Sequence, residues 1–275
     1  MDDPAPRTEK SIDVGTGKLV LELAGHGDDV LLVHSGISDC RMWDGQFDVL
    51  AGRFRVTRYD LRGFGRSSAV DREYSHVDDL LQVIAALDLN TPRVVAASMG
   101  ARVAIDAALR SPGRFGRLLL IGPAISGRGF EDPTLRACWD AMSAAWDAGD
   151  VEKMIDIETR FWINGPTRID GSVDESVLER VREMQRRIVE LQPDEDLEVA
   201  ADPPAASRLE QLAMPVLVIV GEHDVSDIHR NARSIVDAAA DTRIVIVPGT
   251  GHLPNMEEPD AFNELVLEFL TTVAV

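Results

Sequence analysis

The stretch VVAASMGA, residues 94–101, decides the fold of this chain. Its β-branched start predicts a buried strand, and the amphipathic run at 102–109 that follows predicts a helix. Ser98 would then lie on a sharp strand-to-helix turn, which strains the backbone and needs small neighbours, here Ala96 and Gly100. Such a turn presents the serine hydroxyl for chemistry. Serine is also a preferred helix N-cap, so the stretch alone leaves a capping role for Ser98 open.

Two further predicted strands are followed by an aspartate and a histidine, residue types that can act together with a serine. The apolar run 215–221 predicts a fully buried strand and precedes Asp224, and the run 243–247 predicts a second such strand that leads to His252. The carboxyl ends of parallel strands meet at one sheet edge, which is where open α/β sheets bind ligands. The sequence therefore predicts that Ser98, Asp224 and His252 meet at this edge.

These three residue types together can perform nucleophilic catalysis. A serine hydroxyl is a weak nucleophile, so the neutral imidazole of His252 would take its proton and later return it to the leaving group. Asp224 would fix the tautomer of the imidazole and stabilise the imidazolium that forms. A structural role is the alternative for each partner, and for Asp224 it is capping of the helix that starts near Asp227.

The chain resembles the α/β-hydrolase superfamily over essentially its whole length. The resemblance rests on five segments in the family's order: HSGISDCRMW from residue 34, DLRGFGRSS from 60, AASMGA from 96, GEHD from 221 and GTGHLPNMEEP from 249. The chain order serine, aspartate, histidine is also that of this family. Some relatives take the acid from the preceding strand end instead, but residues 121–124 hold no carboxylate, which favours Asp224. The resemblance implies a mostly parallel eight-stranded sheet flanked by helices.

The resemblance also implies an oxyanion hole. In this family the histidine matching His34 holds its loop, while the backbone N–H groups matching Gly36 and Met99 bind the developing negative charge. Two such donors are worth about 3 kcal/mol or more of barrier. Ile37 and Leu253 are further candidate substrate contacts. Asp60 and Arg62 of the DLRG segment are expected to brace the active-site face rather than to touch substrate.

The order of the predicted strands and helices divides the chain into three segments. Strands and helices alternate up to Gly122, as in a parallel sheet, and strands resume at Pro215. The sequence predicts hydrolase-core segments at 1–124 and 207–275 and an all-helical cap at 125–206, with helices near 133–148, 151–162 and 174–191. In this cap Trp139, Trp162 and Arg160 are candidate substrate contacts. Lid packing is the alternative for the tryptophans, and a surface salt bridge is the alternative for the arginine.

Composition excludes several classes of function. The chain has 275 residues, with 47 acidic against 28 basic side chains and a net charge of −19, which argues against nucleic-acid and anionic-membrane partners. Cys40 and Cys138 are too few for a disulfide framework or a zinc site. No basic-then-apolar leader and no long apolar run is present, which predicts a cytoplasmic protein. We expect no metal and no cofactor, and the oligomeric state stays open.

The sequence thus predicts a cofactor-independent serine hydrolase that cleaves a small-molecule ester, lactone or similar acyl compound through an acyl-enzyme. The segments RMWDGQ from residue 41 and RYDLRG from residue 58 are most similar to the 3-oxoadipate enol-lactonase group. Several alternatives use the same fold: a carbon–carbon bond hydrolase, a haloperoxidase-type perhydrolase, a biosynthetic thioesterase or cyclase, and a receptor-like binding module with little turnover.

Overall fold

The computed structural model describes residues 6–15, 17–168, 172–192 and 197–272. One sheet of eight strands runs through it: β1 (Thr8–Asp13), β2 (Lys18–Ala24), β3 (Asp29–Val33), β4 (Arg55–Tyr59), β5 (Arg93–Ala97), β6 (Arg117–Ile121), β7 (Val216–Gly221) and β8 (Thr242–Val247). Their order in the sheet is β1-β2-β4-β3-β5-β6-β7-β8. The pairs β1–β2 and β2–β4 are antiparallel and the other pairs are parallel, which confirms the predicted mostly parallel sheet.

Nine α-helices are found in the described residues: α1 (Asp44–Ala51), α2 (His76–Ala86), α3 (Met99–Arg110), α4 (Pro133–Asp147), α5 (Val151–Asn164), α6 (Glu175–Leu191), α7 (Ser226–Ala238), α8 (Pro254–Glu257) and α9 (Pro259–Thr271). A 3-10 turn at Cys40–Trp43 leads into α1. In the same described ranges, no helix is both long and apolar enough to cross a lipid bilayer.

The central strands are buried on both faces. Along β5, Val94 and Ala96 belong to the apolar layer that contains residues of α2, α3 and α7, whereas Val95 and Ala97 belong to the layer of α1 and α9. This alternation follows from the two-residue period of a strand, and it explains why a continuous apolar run is required here. Each fully buried side chain of valine size or larger contributes about 1.5–3 kcal/mol of transfer free energy.

β8 differs from the expectation of a second fully buried strand. Among the described residues it is the last strand of the sheet and pairs with β7 alone. Ile244 and Ile246 are 36% and 43% exposed. An apolar run shows that a segment favours a strand, but it does not show whether helices cover both faces of that strand.

Three helices lie between β6 and β7 in the chain, and we call α4, α5 and α6 the helical insertion. Their bounds match the predicted helices to within two residues. α5 contacts both α4 and α6. α6 also packs on the core, because Val181 and Met184 share an apolar cluster with Met42 and Trp43 of the 3-10 turn.

Asp132 joins the start of this insertion to the start of α7. One of its carboxylate oxygens caps α4 by accepting the N–H and the hydroxyl of Thr134. The other accepts the N–H of Ser226 at 3.1 Å and its hydroxyl at 2.6 Å. Asp227 in return accepts the N–H of Asp132 at 2.8 Å. The two helix starts are therefore held together by reciprocal carboxylates.

Replacing Asp132 with alanine is expected to lower the free energy of unfolding by about 2 kcal/mol near neutral pH, because a cap and a bond between two helices are lost. Burial opposes ionisation of Asp132, but hydrogen bonds from Ser226 and Thr134 outweigh it and hold the pKa of the carboxyl below its usual range. Such a group stabilises the fold above its unfolded-state pKa of about 3.9 and loses that effect as the pH falls.

Urea denaturation near neutral pH and near pH ~3 checks this expectation, since the difference between wild type and Asp132→Ala should shrink at the lower pH. Asp150→Ala is the matched control, because the Asp150 side chain caps α5 through an exposed bond to the Lys153 N–H, while its bond to Ala145 of α4 is made by the backbone N–H, which alanine keeps. A penalty for Asp132→Ala equal to that of the control, or unchanged at low pH, contradicts the linking role.

Candidate active site

Ser98 lies between β5 and α3 in a strained backbone conformation. Its φ and ψ are 52° and −113°, and its N–H donates to the carbonyl of Ile121 at 2.7 Å. A positive φ is unusual for a residue with a β-carbon and is commonly retained at functional sites. The hydroxyl makes no capping hydrogen bond to α3. Ser98 occupies the N-cap position of α3 without capping it through its side chain, so the structure favours the strained strand-to-helix turn over the capping alternative.

Gly100 explains the demand for small residues around this turn. A β-carbon on Gly100 would lie 2.3 Å from the carbonyl oxygen of His34 and 2.7 Å from that of Val33. The first turn of α3 thus packs directly on the end of β3. A larger side chain at residue 100 would push α3, and Ser98 with it, away from the sheet.

Asp224 and His252 form a buried pair at the same sheet edge. The Asp224 Oδ2 lies 2.7 Å from the His252 Nδ1, and both side chains are buried. The second oxygen, Oδ1, accepts the N–H of Val225 at 2.8 Å. Val225 is the N-cap residue of α7 and that cap has no side-chain hydrogen bond, so Asp224 is not a helix cap. A carboxylate at Nδ1 assigns the proton to that nitrogen and leaves Nε2 as the acceptor.

Gly122 sits between Ser98 and the buried pair. Gly122 directly follows β6. Two residues later, Ala124 donates its N–H to the Ser98 carbonyl at 3.3 Å. A β-carbon on Gly122 would lie 2.8 Å from the His252 Cε1 and 3.2 Å from the Asp224 Oδ2. Across the described part of the chain the Ser98 hydroxyl makes no hydrogen bond. A hydrogen bond between a catalytic serine and its histidine commonly tightens only when substrate is bound.

The two candidate oxyanion donors are neighbours. A β-carbon on Gly36 would lie 3.5 Å from both the Cβ and the Sδ of Met99. Met99 is the first residue of α3, so its N–H has no acceptor within the helix. Neither N–H is hydrogen-bonded to another described residue. The positive end of the α3 dipole adds to the attraction of this place for negative charge.

His34 and Asp60 hold the loop that carries Gly36. The buried His34 bonds the carbonyl of Ser35 through Nδ1 at 2.8 Å and accepts the N–H of Leu61 at Nε2 at 2.9 Å. Burial lowers the pKa of His34, so the ring is neutral. Asp60 accepts the N–H of Cys40 at 2.9 Å. Both residues brace the loop as the resemblance implies.

Trp162 of the helical insertion contacts the buried pair. Its ring centroid lies 4.5 Å from that of His252, and its carbonyl accepts the His252 N–H at 3.0 Å. Trp139 is 42% exposed and contacts the Phe130 ring edge to face. This contact agrees with the lid packing that was the alternative to a substrate contact. Arg160 is paired with Asp156 at 3.0 Å, which is the salt-bridge alternative.

The remaining candidate contacts lie in the core. Ile37 and Leu253 belong to one buried apolar cluster, and Leu253 has no exposed surface. A cleft of about 700 Å³ elsewhere, with Tyr74 and Asp106 in its wall, includes none of the three candidate catalytic residues.

One group of possible metal ligands occurs among the described residues, namely Asp39, Cys40 and Asp60. Asp39 pairs with Arg41 at 2.7 Å, and Asp60 accepts the N–H groups of Cys40 and Arg66. Burial raises the pKa of the Cys40 thiol far above its usual value, which disfavours the thiolate that a metal needs. The two carboxylates of this group are therefore already engaged with arginine and backbone N–H groups, and the thiol stays protonated.

The segment after α5 is linked to the residues that precede both members of the buried pair, directly to His223 and through Glu257 to Gly251, and the sequence did not predict this link. Glu257 accepts the N–H of Gly251 at 2.8 Å and pairs with the buried Arg168 at 2.6 Å. The hydroxyl of Thr167 lies 2.8 Å from the His223 Nδ1. Arg168 and Glu257 are 89 residues apart in the chain, so no local pattern could have indicated their contact.

Two curated relatives match nearly the whole chain. A pimeloyl-acyl-carrier-protein methyl ester esterase of Nitrosomonas europaea is 28% identical over 255 residues, and the match covers 88% of this chain and 95% of the relative. A strigolactone esterase of Arabidopsis thaliana is 27% identical over 267 residues, covering 88% of this chain and 92% of the relative. Both names describe enzymes that hydrolyse esters.

The fold and the family follow from two further matches. The crystal structure of the enol-lactonase from Burkholderia xenovorans LB400 superposes with a TM-score of 0.76 and 24% sequence identity, over 96% of this chain and 100% of that chain. That likeness shows the fold. A model of the alpha/beta hydrolase family matches residues 30–265, which is most of the sequence. The chain therefore belongs to the α/β hydrolase family.

Proposed function

We propose that this protein is a cofactor-independent serine hydrolase that cleaves a carboxylic ester or a lactone through an acyl-enzyme. The observation that carries the proposal is the buried contact of 2.7 Å between Asp224 and His252, at the sheet edge where Ser98 follows β5. The pair leaves the His252 Nε2 free to accept a proton. The esterase names of the two curated relatives support an ester bond as the substrate bond.

The proposed reaction has two halves. The Ser98 Oγ attacks the carbonyl carbon while His252 takes the hydroxyl proton, and the N–H groups of Gly36 and Met99 bind the oxygen that becomes negative. The tetrahedral intermediate then expels the alkoxide, which leaves with the proton from His252. Water attacks the acyl-enzyme in the second half and gives its proton to His252. The carboxylic acid departs as the serine hydroxyl is restored.

We further propose that the helical insertion acts as the cap over this site, within the expected cap segment 125–206. The ring of Trp162 lies beside the His252 ring, so α5 ends where one wall of a substrate cavity is required. A cap of this kind limits access of water and shapes the pocket around the acyl or alcohol group.

A fluorophosphonate probe tests the nucleophile directly on the wild-type protein. The probe is expected to label one peptide, identified by mass spectrometry as the peptide that contains Ser98, and to stop hydrolysis of p-nitrophenyl esters of graded acyl length. Labelling at another serine contradicts the assignment of Ser98. A protein that neither reacts with the probe nor hydrolyses any ester is instead a binding module on the same fold.

Gly122→Ala is expected to lower kcat/KM for these esters by about 10²-fold, because its β-carbon would displace the His252 ring, and displacements near 1 Å have effects of this size. The matched control is Gly113→Ala. Both glycines have a positive φ, 49° and 80°, but a β-carbon on Gly113 meets nothing within 4 Å. Both variants carry the strain of a positive φ, and Gly122→Ala should lose more stability in a thermal melt because its β-carbon also meets the His252 ring, so activities are compared at a temperature where both variants are folded. Equal activities of the two variants contradict the proposed place of Gly122.

A further inference from the structure

Glu158 lies on the same face of α5 as Trp162, the residue that contacts His252. It lies one helical turn before Trp162, and residues four apart on a helix share a face. The ring of Trp162 in turn contacts the ring of His252. α4 packs against α5 and carries the buried Cys138, and the charge of Glu158 adds to the effect of burial in raising the pKa of that thiol. Glu158 is therefore one helical turn from the ring that contacts His252, its charge acts on Cys138 of α4, and part of its surface is accessible.

Glu158 also lacks the partners that neighbouring carboxylates have. Glu152 pairs with Arg186 at 2.8 Å, and Asp156 pairs with Arg182 at 2.7 Å. Within the described ranges, Glu158 has no hydrogen bond and no ion pair. Burial raises the pKa of its carboxyl to about 7, and no nearby charge contributes to that shift. A half-buried carboxyl that burial penalises and that has no partner is costly to a fold, and such a group beside a candidate site is a candidate for binding a ligand.

We propose that Glu158 is a specificity-determining residue that binds a positively charged amine on the substrate. The proposal rests on the proposed hydrolase function and assigns its substrate class, an ester or lactone that carries an ammonium group. An ionised carboxylate only accepts hydrogen bonds, and an ammonium group supplies both the donors and the opposite charge. The neighbouring face of Trp162 adds a cation–π surface for the same group.

The helix geometry sets the distance of the ammonium from the reacting bond. Four residues of α5 separate Glu158 from Trp162, which corresponds to roughly 6 Å along the helix axis. The amine is therefore expected near the far end of a medium-length acyl or alcohol chain. The net charge of −19 would also draw such cations toward the protein.

The test compares a charged ester with a neutral ester of the same length. We would measure kcat and KM for p-nitrophenyl aminocaproate and p-nitrophenyl heptanoate, together with shorter and longer amino homologues. Wild type is expected to prefer the best amino ester by about 10-fold or more in kcat/KM, mostly through KM. Glu158→Gln should remove this preference and leave kcat/KM for heptanoate unchanged. Glu158→Met serves as the second variant if the glutamine variant does not fold.

Glu152→Gln is the matched control, because it removes one carboxylate from the exposed surface of the same helix and keeps the net charge of the Glu158→Gln variant. It should retain the preference for the amino ester. Adding salt to about 0.5 M suppresses the attraction of the whole protein for cations and should leave the effect of Glu158 in place.

The outcomes separate this proposal from the hydrolase proposal. If wild type hydrolyses heptanoate but shows no preference for any amino ester, or if Glu158→Gln keeps the preference, the assignment of Glu158 is wrong and the hydrolase proposal stands. If no ester is hydrolysed and the probe does not label Ser98, the hydrolase proposal fails and the assignment of Glu158 fails with it.

Discussion

Ser98→Ala is expected to lower kcat for p-nitrophenyl ester hydrolysis by about 10⁶-fold, with little change in KM, because it removes the atom that forms the acyl-enzyme. The remaining rate would come from the oxyanion donors and from substrate binding. The β5–α3 turn should persist, since an alanine β-carbon meets the same surroundings as that of Ser98. Single-turnover assays and fluorophosphonate labelling measure both losses.

Ser111→Ala is the control for this variant. Ser111 follows the other end of α3, so its replacement changes the same helix without approaching the sheet edge. It should keep wild-type turnover and labelling. If Ser98→Ala retains more than about one hundredth of the wild-type kcat, the hydroxyl of Ser98 is not the nucleophile, since loss of a nucleophile costs far more than that.

Asp224→Asn is expected to lower kcat by about 10⁴-fold without unfolding the protein. The reason lies in the second hydrogen bond of Asp224, because the Val225 N–H would hold the oxygen of the new amide. The NH2 group then faces the His252 Nδ1 and donates to it. His252 is thereby forced into the tautomer with a proton on Nε2, which cannot accept the proton of Ser98.

Steady-state kinetics and thermal melts of Asp224→Asn measure this effect. Glu222→Gln is the control two residues earlier, where the carboxylate only accepts the N–H of Gly249 at 2.8 Å at the surface. It should retain activity within a few-fold of wild type. An Asp224→Asn variant with the kcat of this control means that another carboxylate orients His252.

The sequence predicted those parts of the fold that depend on local patterns. Successive side chains of β5 and β7 point into two different apolar layers, so each buried position of these strands must be apolar. Their sequences show this as continuous apolar runs. The exposure of β8 could not be predicted in this way, because it depends on which helices cover the sheet edge. The predicted helix bounds of the insertion agree with the structure since amphipathic periodicity and Asp N-caps are local signals.

In the candidate site, too, local patterns predicted some features, and others depend on contacts that form only in the folded chain. The strand ends predicted that Ser98, Asp224 and His252 share one edge, but the place of Gly122 depends on three elements that meet only in the folded chain. Glu158 looks like any polar residue of an amphipathic helix. Its lack of a partner becomes visible only when α4 and α6 are packed around α5, because the nearby arginines are then seen to pair with other carboxylates.

The contacts of the segment at 162–168 bear on how this protein can be recombined with its relatives. Trp162 accepts the N–H of His252, and Arg168 pairs with Glu257, which accepts the N–H of the preceding Gly251. A chimera that exchanged the whole insertion at the ends of β6 and β7 would discard these contacts and leave the histidine loop without its support. Junctions placed inside α5, ahead of Trp162, would transfer a new pocket wall while keeping the native support, so the modular boundary lies within a helix rather than at the strand ends.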